Sequence, residues 1–426
     1  MTFPAPVHAL TGVLVALGMT LLAACGSTPA PTDPATNSIA TGRAPDTPFD
    51  LTAGNIGIHS FSTQPQVPAG AIRLSCYPGW SQVNPNRNDY DWATFDRLVT
   101  QAEDWGFSDI LFVFCSTPHW AGEPLTSPDE AVFGPGSAQA PADMQDFANF
   151  VSAVVERYRG RISGYEVWNE PANPQFFTGT PEQMATMTQI VKDAVDDLDP
   201  GAYVLSAGVQ THSASLVSPF VPRYLAALRA RGWPVDGISA HFYPGDPGTP
   251  QTRLRQIRQI QGELDSAGAP PDLPLWDTEV NYDLGRAGGA PDGRIHGRQA
   301  AAWVTQTYLD SWRAGIRRTY WYTWTEDYYS LLGIQMRPGD AATTALQLLG
   351  SWVVSTHFNG CRERDGVVDC SFTRPDGPSF RIAWVPTGSG RVPVAPGASV
   401  CPVDGSACTT TTGSSLRVSE LPVRIE

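Results

Sequence analysis

Residues 164–177 read GYEVWNEPANPQFF, a short apolar run that stops abruptly on Trp168-Asn169-Glu170-Pro171. A surface turn has use for Asn and Pro, but gains nothing from a Trp beside them. An acid set at the end of a buried strand gains from all four. Seven other runs share this form, apolar and ending in polar or ionisable residues. They are 55–60 (NIGIHS), 71–76 (AIRLSC), 109–115 (DILFVFC), 202–208 (AYVLSAG), 235–243 (VDGISAHFY), 273–281 (LPLWDTEVN) and 317–324 (RRTYWYTW). With 163–170 (SGYEVWNE) there are eight runs of strand length.

Helical patterns lie between them. Residues 89–106 and 142–160 carry apolar residues at helical spacing and end on Gly106 and Gly160. Residues 180–201 open on Thr180 as N-cap and Pro181 at the first helical position, then stop at Pro200-Gly201. Residues 253–268 and 298–315 follow the same pattern. Strands alternating with helices predict an α/β chain with a parallel sheet. Eight units between residues 49 and 357 predict a (β/α)8 TIM barrel rather than an open doubly wound sheet. No G-x-G-x-x-G follows the first strand, so no dinucleotide site is expected. The first connection, from Ser60 to Ala71, is too short for a full helix. After Gly360 short alternating runs replace the helical period, which predicts a small C-terminal β domain over 358–426.

The N-terminus reads as a targeting segment. Residues 9–24 are uncharged and mostly apolar, short for a membrane span, and end in Leu22-Ala23-Ala24-Cys25. Residues 1–24 are expected to be a signal peptide. That end resembles the bacterial lipobox, which implies lipidation of Cys25 and anchoring to the outer face of the cytoplasmic membrane. A Thr/Pro-rich tether is expected over 25–48. Of the six other cysteines, Cys361 with Cys370 and Cys401 with Cys408 would each close a short loop in an exported protein. Cys76 and Cys115 end two strands, as a disulfide or as two buried thiols. The formal charge of −14 offers no footprint for nucleic acid, and leaves the lipid as the one membrane contact expected. No cysteine or histidine spacing marks a metal site, and no cofactor is expected. The chain is expected to act as a monomer.

In a TIM barrel the chemistry sits at the carboxyl ends of the strands. Strand four ends in Asn169-Glu170 and strand seven in Asp277-Thr278-Glu279, across the barrel mouth. Two facing carboxylates are what glycoside hydrolysis requires: one protonates the departing oxygen, and the other attacks the anomeric carbon or activates water. Asp277 lies two residues deeper than Glu279 and reads as a buried partner.

EVWNEPANPQFF (166–177) with LWDTEV (275–280) resembles the clan A glycoside hydrolases, most of all family 39 and its family 5 neighbours. Residues 71–106, CSTPHWA (115–121) and HFYP (241–244) extend the resemblance over most of the chain. The resemblance implies a retaining glycosidase acting on a carbohydrate, with Glu170 as acid/base and Glu279 as nucleophile. It implies that Asn169 binds the sugar 2-hydroxyl, that Arg73 and Tyr243 hold Glu279, and that Trp324 stacks on the innermost sugar. His241 shares a strand face with Tyr243 and belongs to the site or to the core. His119 lines the cleft or packs its loop, and Trp80 and Trp120 are open in the same way. Transglycosylation by the same residues, and a surface barrel that binds carbohydrate without cleaving it, are the competing functions.

Overall fold

The computed structural model describes residues 43–426, except 125–130, 212–213, 246–247 and 284–292. The expected signal peptide, Cys25 and most of the expected tether lie outside the described residues. The end of the tether does not hang free as expected. Arg43 is buried, its guanidinium bonded to Asp265 and to the carbonyls of Ala269 and Pro270. The Asp46 amide donates to Arg313 O.

Eight parallel strands form the barrel: β1 (Ile56–Ser60), β2 (Ala71–Leu74), β3 (Asp109–Val113), β4 (Gly164–Glu166), β5, β6 (Ile238–His241), β7 (Leu275–Val280) and β8 (Thr319–Trp324). β5 comes in two pieces. Tyr203–Leu205 pairs with β4 and Val209–Gln210 pairs with β6, so this one strand closes the barrel. Among the described residues seven helices cover the outside: α1 (Ala93–Asp104), α2 (Met144–Arg157), α3 (Pro181–Leu198), α4 (Ala214–Ala230), α5 (Pro250–Ala267), α6 (Gly297–Arg313) and α7 (Ala341–Val353). No helix joins β1 to β2. Thr180 caps α3 as its sequence requires: Thr180 Oγ1 accepts from Gln183 N, and the Gln183 side chain accepts from Thr180 N.

Large rings fill the lower barrel. Tyr203, Trp276 and Tyr320 pack with Ala71, Leu111 and Leu205. The rings fit because two strands offer glycine against them. A Cβ on Gly57 would lie 2.5 Å from the Tyr320 ring, and one on Gly164 would lie 1.9 Å from the Tyr203 ring. This plug leaves only the upper end of the barrel for a site.

The second sheet is antiparallel and seven-stranded. Its first strand is Phe49–Leu51, paired with Thr356–Phe358 at the start of Thr356–Arg364. Residues 49–51 therefore pair with the strand that follows α7 rather than with the barrel. One hydrophobic core runs from the barrel into it through Trp352, Phe358, Phe372 and Trp384. The disulfide Cys361–Cys370 crosses a directly opposed pair in this sheet, and Cys401–Cys408 closes the short loop expected. Cys76 and Cys115 are also bonded, joining the ends of β2 and β3 with Cα atoms 5.5 Å apart. Among the described residues no helix is long and apolar enough to cross a membrane.

Candidate active site

Above the aromatic plug lies a polar layer centred on Arg73 of β2, which is fully buried. Its guanidinium grips Glu166 of β4 with two hydrogen bonds, Nε to Oε2 at 2.8 Å and Nη2 to Oε1 at 2.9 Å. Nη1 donates to Glu279 Oε1 at 2.5 Å, and Nη2 to Asn169 Oδ1 at 3.2 Å. One cation thus ties together the ends of β2, β4 and β7. A buried guanidinium is stable only with such complete pairing. Burial alone would lower its pKa, but Glu166 and Glu279 outweigh that and raise it. Burial likewise raises the Glu166 carboxyl, but Arg73 and His241 hold it below its usual value.

His241 lies between the carboxylates. Nδ1 is 2.9 Å from Glu170 Oε1 and 3.7 Å from Glu279 Oε2, while Nε2 is 3.7 Å from Glu166 Oε1. Burial pulls its pKa down, but Glu279 and the hydrogen bonds to Glu166 and Glu170 raise it to about 10. Arg73 Nη2 also comes within 3.4 Å of His241 Nε2, beside Glu166 Oε1. Gly208 makes room here: a Cβ would lie 2.2 Å from Glu166 Oε1 and 2.6 Å from His241 Nε2. The break in β5 after Leu205 falls at this close approach.

Glu279 is held from both sides. Besides Arg73, the Tyr243 hydroxyl donates to its Oε2 at 2.8 Å. Burial raises its carboxyl, yet His241 and Arg73 outweigh that and lower it to about 2. Glu170 sits just past β4 with φ of 43°, in the left-handed region. Such a backbone costs a non-glycine residue about 1–3 kcal/mol and persists only where the surroundings hold it. They do so here. The Glu170 amide donates to Gly208 O at 2.9 Å, Glu170 O accepts from Asn173 N at 2.9 Å, and Trp168 Nε1 pins the loop to Phe176 O at 2.9 Å. Trp168 is therefore a core anchor, packed on Phe147 and Phe177, and the turn after it aims Glu170 into the barrel mouth. One oxygen from each of Glu170 and Glu279, with a His241 nitrogen, lies within 4.8 Å of the others.

Arg73, Asn169, Glu170, His241, Tyr243 and Glu279 thus converge. Asp277 lies beneath them, fully buried and paired with Arg253 at 2.5 Å, and its Oδ1 accepts from Phe242 N. Two expected residues fall elsewhere. Trp324 is 1% exposed in the core, with Nε1 donating to Thr63 Oγ1 at 3.0 Å. The expectation that it stacks on the sugar is corrected: the β8 ring nearest the site is Tyr322, 6.5 Å from the Tyr243 ring. His119 is exposed on the loop after β3 and takes no part in the hydrogen-bonded cluster. Trp80 is core, stacked on Phe150, while half-buried Trp120 donates to Asn84 O.

Two partners went unread in the sequence. Glu166 is one, and its only signal was a carboxylate inside an apolar strand. The other is His59 of β1, whose Nε2 donates to Thr278 O at 2.9 Å. Burial and the nearby Arg73 lower its pKa to about 3, so it stays neutral beside Glu279.

No family model matches the sequence, and no curated protein matches it. Solved structures do resemble the fold. A family 39 glycoside hydrolase from the gut symbiont Bacteroides cellulosilyticus WH2 matches with a TM-score of 0.63 at 18% identity, over 88% of this chain and 81% of that one. A family 39 β-xylosidase from Caulobacter crescentus matches at 0.62 and 15%, over 90% and 97%. A family 30 endoxylanase from Clostridium papyrosolvens C71 matches at 0.57 and 15%, over 91% and 97%.

Proposed function

We propose that this chain is a retaining glycoside hydrolase of the clan A type, similar to family 39, that cleaves O-glycosidic bonds by double displacement. One observation carries the reading. Glu170 and Glu279 bring carboxylate oxygens within 4.8 Å of each other. Retaining enzymes hold their carboxyl groups about 5–5.5 Å apart, whereas inverting enzymes need about 6.5–9.5 Å to seat a water between them.

The roles follow from the hydrogen bonds. Of the three carboxylates, Glu166 and Glu279 bind Arg73, and Glu170 alone touches only His241 among these cations. Glu170 is thus the group placed to carry the proton given to the leaving oxygen. Glu279, held ionised, attacks the anomeric carbon. Its new C–O bond forms as the glycosidic C–O bond breaks, and the departing oxygen takes the Glu170 proton. Water then gives a proton back to Glu170 and displaces Glu279, releasing the sugar. Asn169 Oδ1 is engaged by Arg73, which fixes its amide group as a donor for the sugar 2-hydroxyl. The substrate class we assign is a cell-envelope or extracellular polysaccharide or oligosaccharide.

The place of action belongs to the same reading. Leu22-Ala23-Ala24-Cys25 supports export and lipid anchoring through Cys25. Cells producing the full chain should hold aryl-glycosidase activity in the membrane fraction, and Cys25→Ala should move it to the soluble fraction. Activity in neither fraction overturns the glycosidase assignment. Activity that stays with the membrane in the variant overturns the anchor alone.

A further inference from the structure

Only two large hydrophobic side chains stand exposed among the described residues, Phe61 at 43% and Tyr77 at 51%. Both follow barrel strands at the end that carries the carboxylates. Phe61 comes directly after Ser60, the last residue of β1, and Tyr77 comes after Cys76, just beyond β2. An exposed aromatic at an arbitrary surface position needs no explanation; these two share the rim of the proposed site.

Phe61 is also continuous with the site. Its ring lies 6.3 Å from the ring of Tyr322. Tyr322 is half-buried and lies 6.5 Å from Tyr243, whose hydroxyl holds Glu279. Tyr322 is itself braced, 5.0 Å from the His59 ring. A row of aromatic rings therefore leads from Glu279 outward over β8 and β1.

The direction of that row has a chemical meaning. In a closed barrel of eight strands β4 stands opposite β8 and far from β1. Glu170 follows β4, so the leaving group departs toward β4. The non-reducing end of the substrate must then run the other way, over β8 and β1. We propose that Phe61, with Tyr322 behind it, is a stacking platform for the second sugar on the non-reducing side of the cleaved bond. The preferred substrate then carries at least two sugars ahead of that bond. The flat face of an aromatic ring suits the C–H face of a sugar, and of the two exposed rings among the described residues Phe61 is the one that stands against Tyr322. This rests on the glycosidase reading above and names the substrate that reading leaves open.

The test compares kcat/KM for 4-nitrophenyl glycosides of xylose, glucose, mannose and galactose with the matching β-1,4-linked disaccharide glycosides. The parent should favour the disaccharide form of the sugar it cleaves. Phe61→Ala should lose roughly tenfold on that disaccharide glycoside, the scale of one aromatic contact, and remain unchanged on the monosaccharide. Phe61→Trp should restore the preference. Part of the loss should appear in kcat as well as KM, because remote binding is used at the reacting centre. Equal loss on both forms, loss on neither, or a parent that favours the monosaccharide overturns the platform and leaves the glycosidase reading standing. A parent inactive on the whole panel overturns both.

Discussion

Glu279→Ala is expected to abolish turnover of every aryl glycoside the parent cleaves, whatever the leaving group. The loss should be on the order of 10⁵–10⁶ in kcat, the scale seen when a covalent nucleophile is removed. Neither neighbouring carboxylate of the buried layer can take its place. Glu166 is locked by two bonds to Arg73, and Asp277 is fully buried against Arg253. The variant should still fold, because Arg73 keeps Glu166 and Asn169. The carboxyl of Glu279 is lowered from 4.5 to about 2, so its contribution to stability is present above pH 4.5 and lost as pH falls toward 2. A fall in activity between pH 4 and 7 therefore cannot come from this group. Steady-state rates on nitrophenyl and methyl glycosides check the prediction, and a variant that keeps a hundredth of the parent's rate would sink the assignment.

Glu170→Ala should fail in a different way. It lacks the proton donor but keeps the nucleophile, and Glu279 keeps its bonds to Arg73 and Tyr243. A nitrophenolate leaves without much protonation, so the first step should survive and a burst of nitrophenolate should appear. A poor leaving group should slow by about 10²–10⁴, the usual worth of general acid catalysis. The second step should stall because no base activates water, and the glycosyl-enzyme should accumulate. Azide needs no base. It should restore turnover and give a glycosyl azide of the same anomeric configuration as the substrate. If azide leaves the rate unchanged, or if poor leaving groups depart as fast as from the parent, Glu170 is not the acid/base.

Much of this was legible in the sequence, for reasons that can be traced. The eight runs were visible because strands buried on both faces are apolar until they reach the barrel mouth, where polar residues begin. Thr180-Pro181 marked the start of α3 because capping is local chemistry. α4 escaped notice because Pro219 and Pro222 lie inside it and break the usual helical signature. The convergence of Glu170 and Glu279 could be argued from strand ends, and Arg73 joined them through the resemblance. Glu166 and His59 could not, because a buried charge or imidazole makes sense only once its partners on other strands are known.

Trp324 shows where the resemblance misleads. Tyr320, Tyr322 and Trp324 share a parity, and a regular strand would set all three on one face. The pairing of β8 with β1 shifts register between Trp321 and Trp324. Alternation therefore does not carry through the end of the strand, and Trp324 enters the core while Tyr322 meets Tyr243. Phe61 lay beyond sequence reasoning for a simpler reason: one phenylalanine after a strand looks the same whether it is buried or exposed.

The central claim is that Glu170 and Glu279 act together as a retaining pair, and the stereochemistry of the first-formed product tests it most directly. Proton NMR of a reaction run with ample enzyme reads the anomeric signal of the released sugar before mutarotation mixes the two forms. Carboxylate oxygens within 4.8 Å of each other match the close spacing of a double-displacement pair, so the product should first appear with the substrate's own configuration. A product that first appears with inverted configuration would contradict the account, because a single displacement by water needs a gap of about 6.5–9.5 Å.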